Sequence, residues 1–495
     1  MTDKVQVAAE KDIDDAVAAA RAAFPKWRET AGHKRAAIMN KFADLLEKNV
    51  DKLAKLESMA MGQPITVARA MIKAPAALWR YYAGYAGKVS GETFPPDEDG
   101  TYKIVQYEPL GVCAGICAWN GTHVLAAWKM APAMAAGNTF ILKTSEKSPL
   151  AAAAYGDILN EAGFPPGVIN IVTGSGPVGS MLASHMDIAK IAFTGSAVAG
   201  RLVMQAAAKS NMKIVSLELG GKSPALVFDD AELDNAVQHT STSFLRNSGQ
   251  VCFASSRILV QEGIAPKYIE AVKKSMEDAA TKMGDPSLDE TAFGPLADKK
   301  QFERVMGFLQ SARDEGVQVL VGGDRKGDTG TFVQPTVFLN PDLKSKVYTD
   351  EIFGPVISVR TFKDEEEAIR LANDTTYGLG CECRLAVPFK RAYLLTRTLQ
   401  PPSTHPTSLG LFALPARSRL ALLASILPLA LRPRHHSVAT SRVSRTPYQK
   451  TSETYADDFF FCALGGIGRE SGPEGLKGYL QPKTIHINMN VPPRK

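Results

Sequence analysis

From Tyr102 onward the chain repeats one pattern, a short apolar run followed by a stretch long and regular enough for a helix. The runs are YKIVQYEP, GVCAGICAW, NTFILKTS, INIVTG, KIAFTGS and SPALVFDD, each read as a strand that precedes a helix. Parallel strands need long crossover connections, and helices supply them, so this rhythm commits the chain to an α/β fold. In such sheets ligands bind outside the carboxyl ends of the strands, and the chemistry is expected there. Ahead of this region, KDIDDAVAAARAAF (residues 11–24) sets apolar residues at helical spacing after acids that suit a helix N-terminus. Helical patterning continues over 33–60 and 65–88, and GETFPPDEDG then breaks it as a loop.

With 495 residues, 45% of them hydrophobic, the chain can bury more than one core. The opening MTDKVQVAAEKDIDD is acidic and has no apolar run, unlike a secretory signal or an Arg-rich transit peptide, which points to the cytoplasm. Six cysteines (113, 117, 252, 381, 383 and 462) are too few for a disulfide framework in a chain this long, and free thiols are expected. Cys381 and Cys383 form a C-x-C pair, but no second pair stands at ligand spacing, so no metal site is expected. The net charge of +6 is local: seven of the 57 basic residues fall in 401–450, where there is no acid, leaving 50 against 51 acids elsewhere. No nucleic-acid partner is expected from that distribution. The most apolar stretch, LALLASILPLAL, contains Pro428 and is well short of the roughly 20 residues a membrane span needs, so no membrane partner is expected.

Three local patterns carry candidate chemistry. KIAFTGSAVAGRLVMQAAA is a strand, a turn with Thr194, Gly195 and Ser196, and a helix. Such a turn aims free N–H groups and a positive dipole end at a phosphate, though an ordinary strand-to-helix turn uses the same letters and the G-x-G-x-x-G fingerprint is absent. VSLELGGKSPALVF places Glu218 just before Gly220 and Gly221, which suits a carboxylate near backbone that approaches a ligand closely; a solvated glutamate would read the same. SFLRNSGQVCFASSR sets Cys252 after Gly249 and Gln250 and ahead of small residues, whereas Cys113 and Cys117 sit inside apolar strands and read as core. A thiolate is the most nucleophilic common side chain, so Cys252 is the candidate nucleophile.

Taken in order, EPLGVCAGICAWN, GNTFILKTSEKSP, FTGS, ELGGKSP, GQVCFASSR and EIFGPV resemble the NAD(P)-dependent aldehyde dehydrogenase superfamily. The resemblance runs from about Asp12 to Arg397 and resumes with GGIGRE (465–470) and YLQPKTIHINM (479–489). It implies a Rossmann-type cofactor domain (1–88 and 110–218), an α/β catalytic domain (219–400 and 461–478) and a small oligomerisation β-extension (89–109 and 479–490). It also implies oxidation of a small-molecule aldehyde to the acid with NAD, and a homo-oligomer built through residues 101–109 and the KTIHINM strand.

By similarity, Cys252 attacks the aldehyde, the Asn120 side-chain amide and the Cys252 backbone N–H stabilise the oxyanion, and Glu218 activates the water that releases the acid. Lys129 and Glu470 fall where the family has a proton-relay pair. Lys143 and Glu146 match residues at the adenosine ribose, where a carboxylate repels a 2′-phosphate and favours NAD over NADP. Ser196 matches the residue near the pyrophosphate, and Glu351 and Phe353 match those at the nicotinamide ribose and ring. Trp119, Gly176, Phe193, Gly195, Gly200, Leu219 and Gly220 complete the implied cofactor set.

The departures are informative. Ala118 replaces the usual Pro before Trp119 and Asn120, and Gly121 with Thr122 replaces an aromatic-Pro pair. In the family that aromatic lines the substrate tunnel, so its loss implies room for a bulky or aromatic aldehyde flanked by Trp128 and Phe253. After RAYLLTRTLQ the family's next strand and loop are missing; a Pro- and Arg-rich segment (401–460) stands there, resembling translated non-coding sequence. That segment is expected to be disordered or poorly packed. The chain also begins near the first long helix, without the family's opening strands. The disrupted C-terminal catalytic segment leaves a second reading, a cofactor-binding protein of the same fold with impaired catalysis.

Overall fold

The computed structural model describes residues 5–379, 382–384, 466–467 and 470–488; Cys381, Cys462 and the 401–460 segment lie outside them. Four helices come first, α1 (Glu10–Glu29), α2 (Gly32–Lys48), α3 (Val50–Met61) and α4 (Ile65–Ala83). The helical stretch expected over 33–60 is two helices, because Asn49 ends α2, its side-chain amide donating back to the Leu45 carbonyl at 2.8 Å.

Next, β1 (Glu92–Phe94) and β2 (Thr101–Pro109) pair antiparallel, and β15 (Leu480–Asn488) lies along the other side of β2 from Leu480 opposite Pro109 to Asn488 opposite Thr101. Here the strand-then-helix expectation fails. β2 leads directly into another strand and belongs to this separate three-stranded sheet; its residues are mostly half-buried, as in a ribbon with no core on either face.

The first large sheet runs β14 (Gly466–Ile467), β7 (Ile214–Glu218), β6 (Lys190–Thr194), β3 (Val112–Ile116), β4 (Thr139–Lys143), β5 (Ile169–Val172). All its pairings are parallel except that of β14 with β7. β3, β4 and β6 are buried at every residue, which is why they read as continuous apolar runs. Helices α5 (Thr122–Ala136), α6 (Pro149–Ala153), α7 (Tyr155–Ala162), α8 (Gly176–Ser184) and α9 (Ala197–Lys209) lie in its crossovers. The chain steps from β3 out to β4 and β5, then returns past β3 to β6 and β7. The strand order therefore reverses between β3 and β6, the switch point where a Rossmann sheet opens its ligand crevice.

The second large sheet runs β10 (Gln318–Val321), β11 (Thr336–Leu339), β12 (Val356–Phe362), β9 (Ser255–Gln261), β8 (Ser223–Val227), β13 (Glu382–Arg384), parallel except for β10 with β11. Around it lie α10 (Leu233–Thr240), α11 (Ala265–Thr281), α12 (Lys299–Asp314), α13 (Lys346–Thr349) and α14 (Glu365–Asn373). Within 461–478, Gly466 and Ile467 pair with the first sheet. β14 pairs with β7, and the Tyr82 hydroxyl donates to the Gly472 carbonyl (3.0 Å) just ahead of the last helix, α15 (Gly472–Lys477). No helix among the described residues is long and apolar enough to cross a membrane.

Candidate active site

The carboxyl ends of three first-sheet strands supply the crevice. β3 leads through Cys117 to Trp119 and Asn120 and then into α5, while β6 and β7 end side by side at Thr194 and Glu218, which are register partners. Past β6, Ser196 caps α9, its hydroxyl accepting from the Ala199 N–H at 3.3 Å. Past β7, Gly220 and Gly221 allow a close approach that no side chain would permit. A Cβ on Gly220 would stand 2.1 Å from Glu351 Oε2, and one on Gly221 2.6 Å from the Cys252 carbonyl oxygen. The Gly221 N–H donates to Glu351 Oε1 at 3.2 Å. This glycine pair thus draws Glu351 and the Cys252 backbone onto the segment that follows Glu218.

Cys252 follows an unusual turn. Asn247, Ser248 and Gly249 are left-handed in succession, with φ of 54°, 55° and 70°. Each non-glycine residue there costs roughly 1–3 kcal/mol and persists only where its surroundings enforce it. The enforcement is visible: Ser248 Oγ donates to the Gly294 carbonyl (2.7 Å), Gln250 Nε2 donates to the Asn247 carbonyl (2.9 Å), and the Ala297 N–H donates to Gln250 Oε1 (3.0 Å). Asn120 Nδ2 donates to the Gln250 carbonyl at 3.1 Å, so Asn120 and the cysteine loop are one hydrogen bond apart. Burial, then the carboxylates of Glu351 and Glu218, push the Cys252 thiol up to about 12. Burial does the same to Cys113 and Cys117, which lie in the core as their apolar surroundings predict.

Lys129 is wholly buried, and its ammonium donates to Glu470 Oε1 (2.5 Å) and Thr194 Oγ1 (2.6 Å). Burial weakens the charged form, but Glu470, with Cys117 and Glu218, outweighs it and holds the lysine above its ordinary pKa. The pair reaches Thr194, the register partner of Glu218. At the end of β4, buried Lys143 donates to the Thr144 carbonyl (2.8 Å) and stands 4.0 Å from exposed Glu146. Gly176 opens α8, with nothing within 4 Å of an added Cβ. Phe193 fills the space beneath Gly195, and Leu219 the space beneath Gly200, so both side chains seat the first turns of α9 on the strand ends. Phe353 is left-handed at φ 60° and lies edge-on to Trp119, ring centres 5.4 Å apart; the Lys147 ammonium sits 4.9 Å above the Trp119 ring.

Two residues that shape the site escaped the sequence reading. Asn247 bonds to the carbonyls of both Asn120 (2.9 Å) and Gln250 (3.2 Å). Its signal was the Asn-Ser-Gly run, whose residues tolerate left-handed turns. Buried Glu57 on α3 accepts from the Thr122 N–H (3.0 Å) at the start of α5. Nothing in its local sequence sets it apart from an exposed helical glutamate.

A Rossmann crevice faced by a cysteine loop from a second α/β sheet, with a three-stranded extension, defines a class of two-sheet enzymes. The aldehyde dehydrogenase family profile matches residues 1–383, and the chain belongs to that family. An aldehyde dehydrogenase of Emericella nidulans is 46% identical over 487 residues, spanning 98% of this chain and 89% of that relative. PnpE from Pseudomonas sp. WBC-3, solved with nicotinamide adenine dinucleotide, superposes with a TM-score of 0.82 at 34% identity, covering 99% of this chain and 92% of its own. The NAD+ complex of an aldehyde dehydrogenase from Bacillus cereus gives 0.82 at 33% identity, with 98% and 90% covered.

Proposed function

We propose that this chain oxidises a bulky or aromatic aldehyde to its carboxylic acid with NAD, with Cys252 as nucleophile and Glu218 as general base. The observation that most supports this is the contact of the Cys252 backbone with Gly221, which puts the thiol within the electrostatic reach of Glu218 and Glu351. A thiol held at about 12 is protonated at neutral pH, so its proton must pass to a base, the Glu218 carboxylate, as sulfur bonds to the aldehyde carbon, and Glu218 must shed it before it acts again. The second N–H of the Asn120 amide and the Cys252 N–H hold the resulting oxyanion. When bound, NAD supplies the acceptor for the hydride that the thiohemiacetal loses. Glu218 then takes a proton from the water that attacks the Cys252 thioester, and the charged Lys129 relays it, handing its own proton to Glu470 as it takes this one.

The crevice residues fit a dinucleotide. The N-termini of α8 at Gly176 and α9 at Gly195 and Ser196 face the strand ends where a pyrophosphate is held in Rossmann sheets. Lys143 and Glu146 would hold the adenosine ribose, with the Glu146 carboxylate disfavouring a second phosphate. Trp119, Phe353 and Glu351 would hold the nicotinamide end. Room for a large substrate is supported at Gly121, where an added Cβ meets nothing within 4 Å. The assembly is a cytoplasmic homo-oligomer, joined through β2 and β15; the exposed Val198, Leu202, Met212 and Ile214 offer apolar surface for a second copy.

The test follows NADH absorbance over an aldehyde panel beside NAD binding by calorimetry. An aromatic aldehyde with the higher kcat/KM than acetaldehyde is expected, and a clear preference for acetaldehyde rejects the bulky-substrate reading. The second reading, impaired catalysis, draws on the family match ending at residue 383; NAD binding without turnover would favour it.

A further inference from the structure

We infer that Asn247 is a positioning residue that fixes which end of the Asn120 amide faces the reacting carbon. This rests on reading Asn120 as an oxyanion donor. A primary amide has two N–H bonds and one acceptor end, and either end can face the substrate unless something chooses. Here the Gln250 carbonyl chooses. It receives one N–H from Asn120 Nδ2 at 3.1 Å, which leaves the other free for an oxyanion. A reversed amide would set its oxygen against that carbonyl, two acceptors in contact with no proton between them.

The Gln250 carbonyl is itself held by Asn247. Asn247 Nδ2 donates to it at 3.2 Å and to the main-chain carbonyl of Asn120 at 2.9 Å, so one side chain spends its two N–H groups on the two loops of the hole. Asn247 is held in turn: Gln63 Nε2 donates to its Oδ1 (3.4 Å) and Gln250 Nε2 to its main-chain carbonyl (2.9 Å). Asn247, Gln63 and Gln250 are all buried, so bulk water does not compete for these groups. The left-handed backbone at Asn247, φ 54°, aims the side chain between the loops, and few residue types adopt it readily.

Two variants suit the test because both tolerate that backbone. Asn247→Gly deletes the amide, and Asn247→Asp keeps its shape but turns the donor into an acceptor facing two carbonyls. Each is expected to lower kcat by about tenfold to a hundredfold, below or at the lower edge of the loss of an oxyanion donor itself, while KM for NAD and the calorimetric Kd for NAD hold within about twofold. The deciding measurement is a cycle with Asn120→Ala. If Asn247 acts through Asn120, Asn247→Gly costs no more than about twofold once Asn120 is gone. Multiplying losses, or a kcat unchanged in both Asn247 variants, would overturn the inference while leaving Asn120 as a donor. A kcat unchanged in Asn120→Ala alone would remove the oxyanion reading, and the inference with it.

Discussion

Among single residues, Cys252 and Glu57 make the sharpest statements. Burial with two carboxylates at hand keeps the Cys252 proton on sulfur, so in the cofactor-free enzyme its alkylation by iodoacetamide should still accelerate with pH beyond 10, toward about 12. A rate that levels off near pH 8 would show an ordinary or activated thiol instead. Glu57 is 3% exposed with one carboxylate oxygen unpartnered, and burial pushes its pKa from 4.5 up to about 7. The folded chain therefore holds this proton more tightly than the unfolded chain does. The associated stability is full below pH 4.5 and is lost as pH climbs through about 7, a change of roughly 3 kcal/mol. Glu57→Gln removes the titration, so between pH 5 and 8 the wild-type Tm should fall further than that of the variant. Parallel Tm curves would contradict it. Cys252, Glu218 and Asn120 could be singled out from the sequence because they sit in distinctive motifs. Asn247 and Glu57 were not, since their partners lie 127 and 65 residues away in sequence.

Elements were legible where burial is two-sided. β3, β4 and β6 announced themselves as apolar runs because helices cover both faces of their sheet. β2 was misread as leading into a helix, since a half-buried ribbon and a sheet strand share the same alternation and only the chain's destination separates them. The join between the second sheet and α14 depends on a residue with no sequence signal, Arg257 on β9. Its wholly buried guanidinium donates to the Lys222 carbonyl (2.9 Å) and to the last carbonyls of α14, at Leu371 (3.0 Å) and Ala372 (2.9 Å). It caps the helix and ties it to the chain just after Gly221. Arg257→Met fills most of the volume but strands those carbonyls, so a loss of about 3–5 kcal/mol in urea unfolding is expected. A loss under about 1 kcal/mol would mean that water takes over the caps.

At the scale of the molecule, the rhythm of strands and helices was enough to set the fold class, and the motifs placed the crevice at the ends of β3, β6 and β7. The pairing of Gly466 and Ile467 with the first sheet was not readable, because where a two-residue strand docks is decided by tertiary contacts rather than by local pattern. Close by in sequence, Glu470 meets Lys129, whose ammonium also donates to Thr194, the register partner of Glu218. On the proposed mechanism sulfur and carboxylate serve one pocket in successive steps, and one variant isolates them. Glu218→Gln, mixed with NAD and an aromatic aldehyde and quenched within a turnover, is analysed by intact mass and peptide mapping. A burst of NADH with an acyl group retained on the Cys252 peptide is expected. NADH released with no adduct there, or an acyl group on another residue, would contradict it.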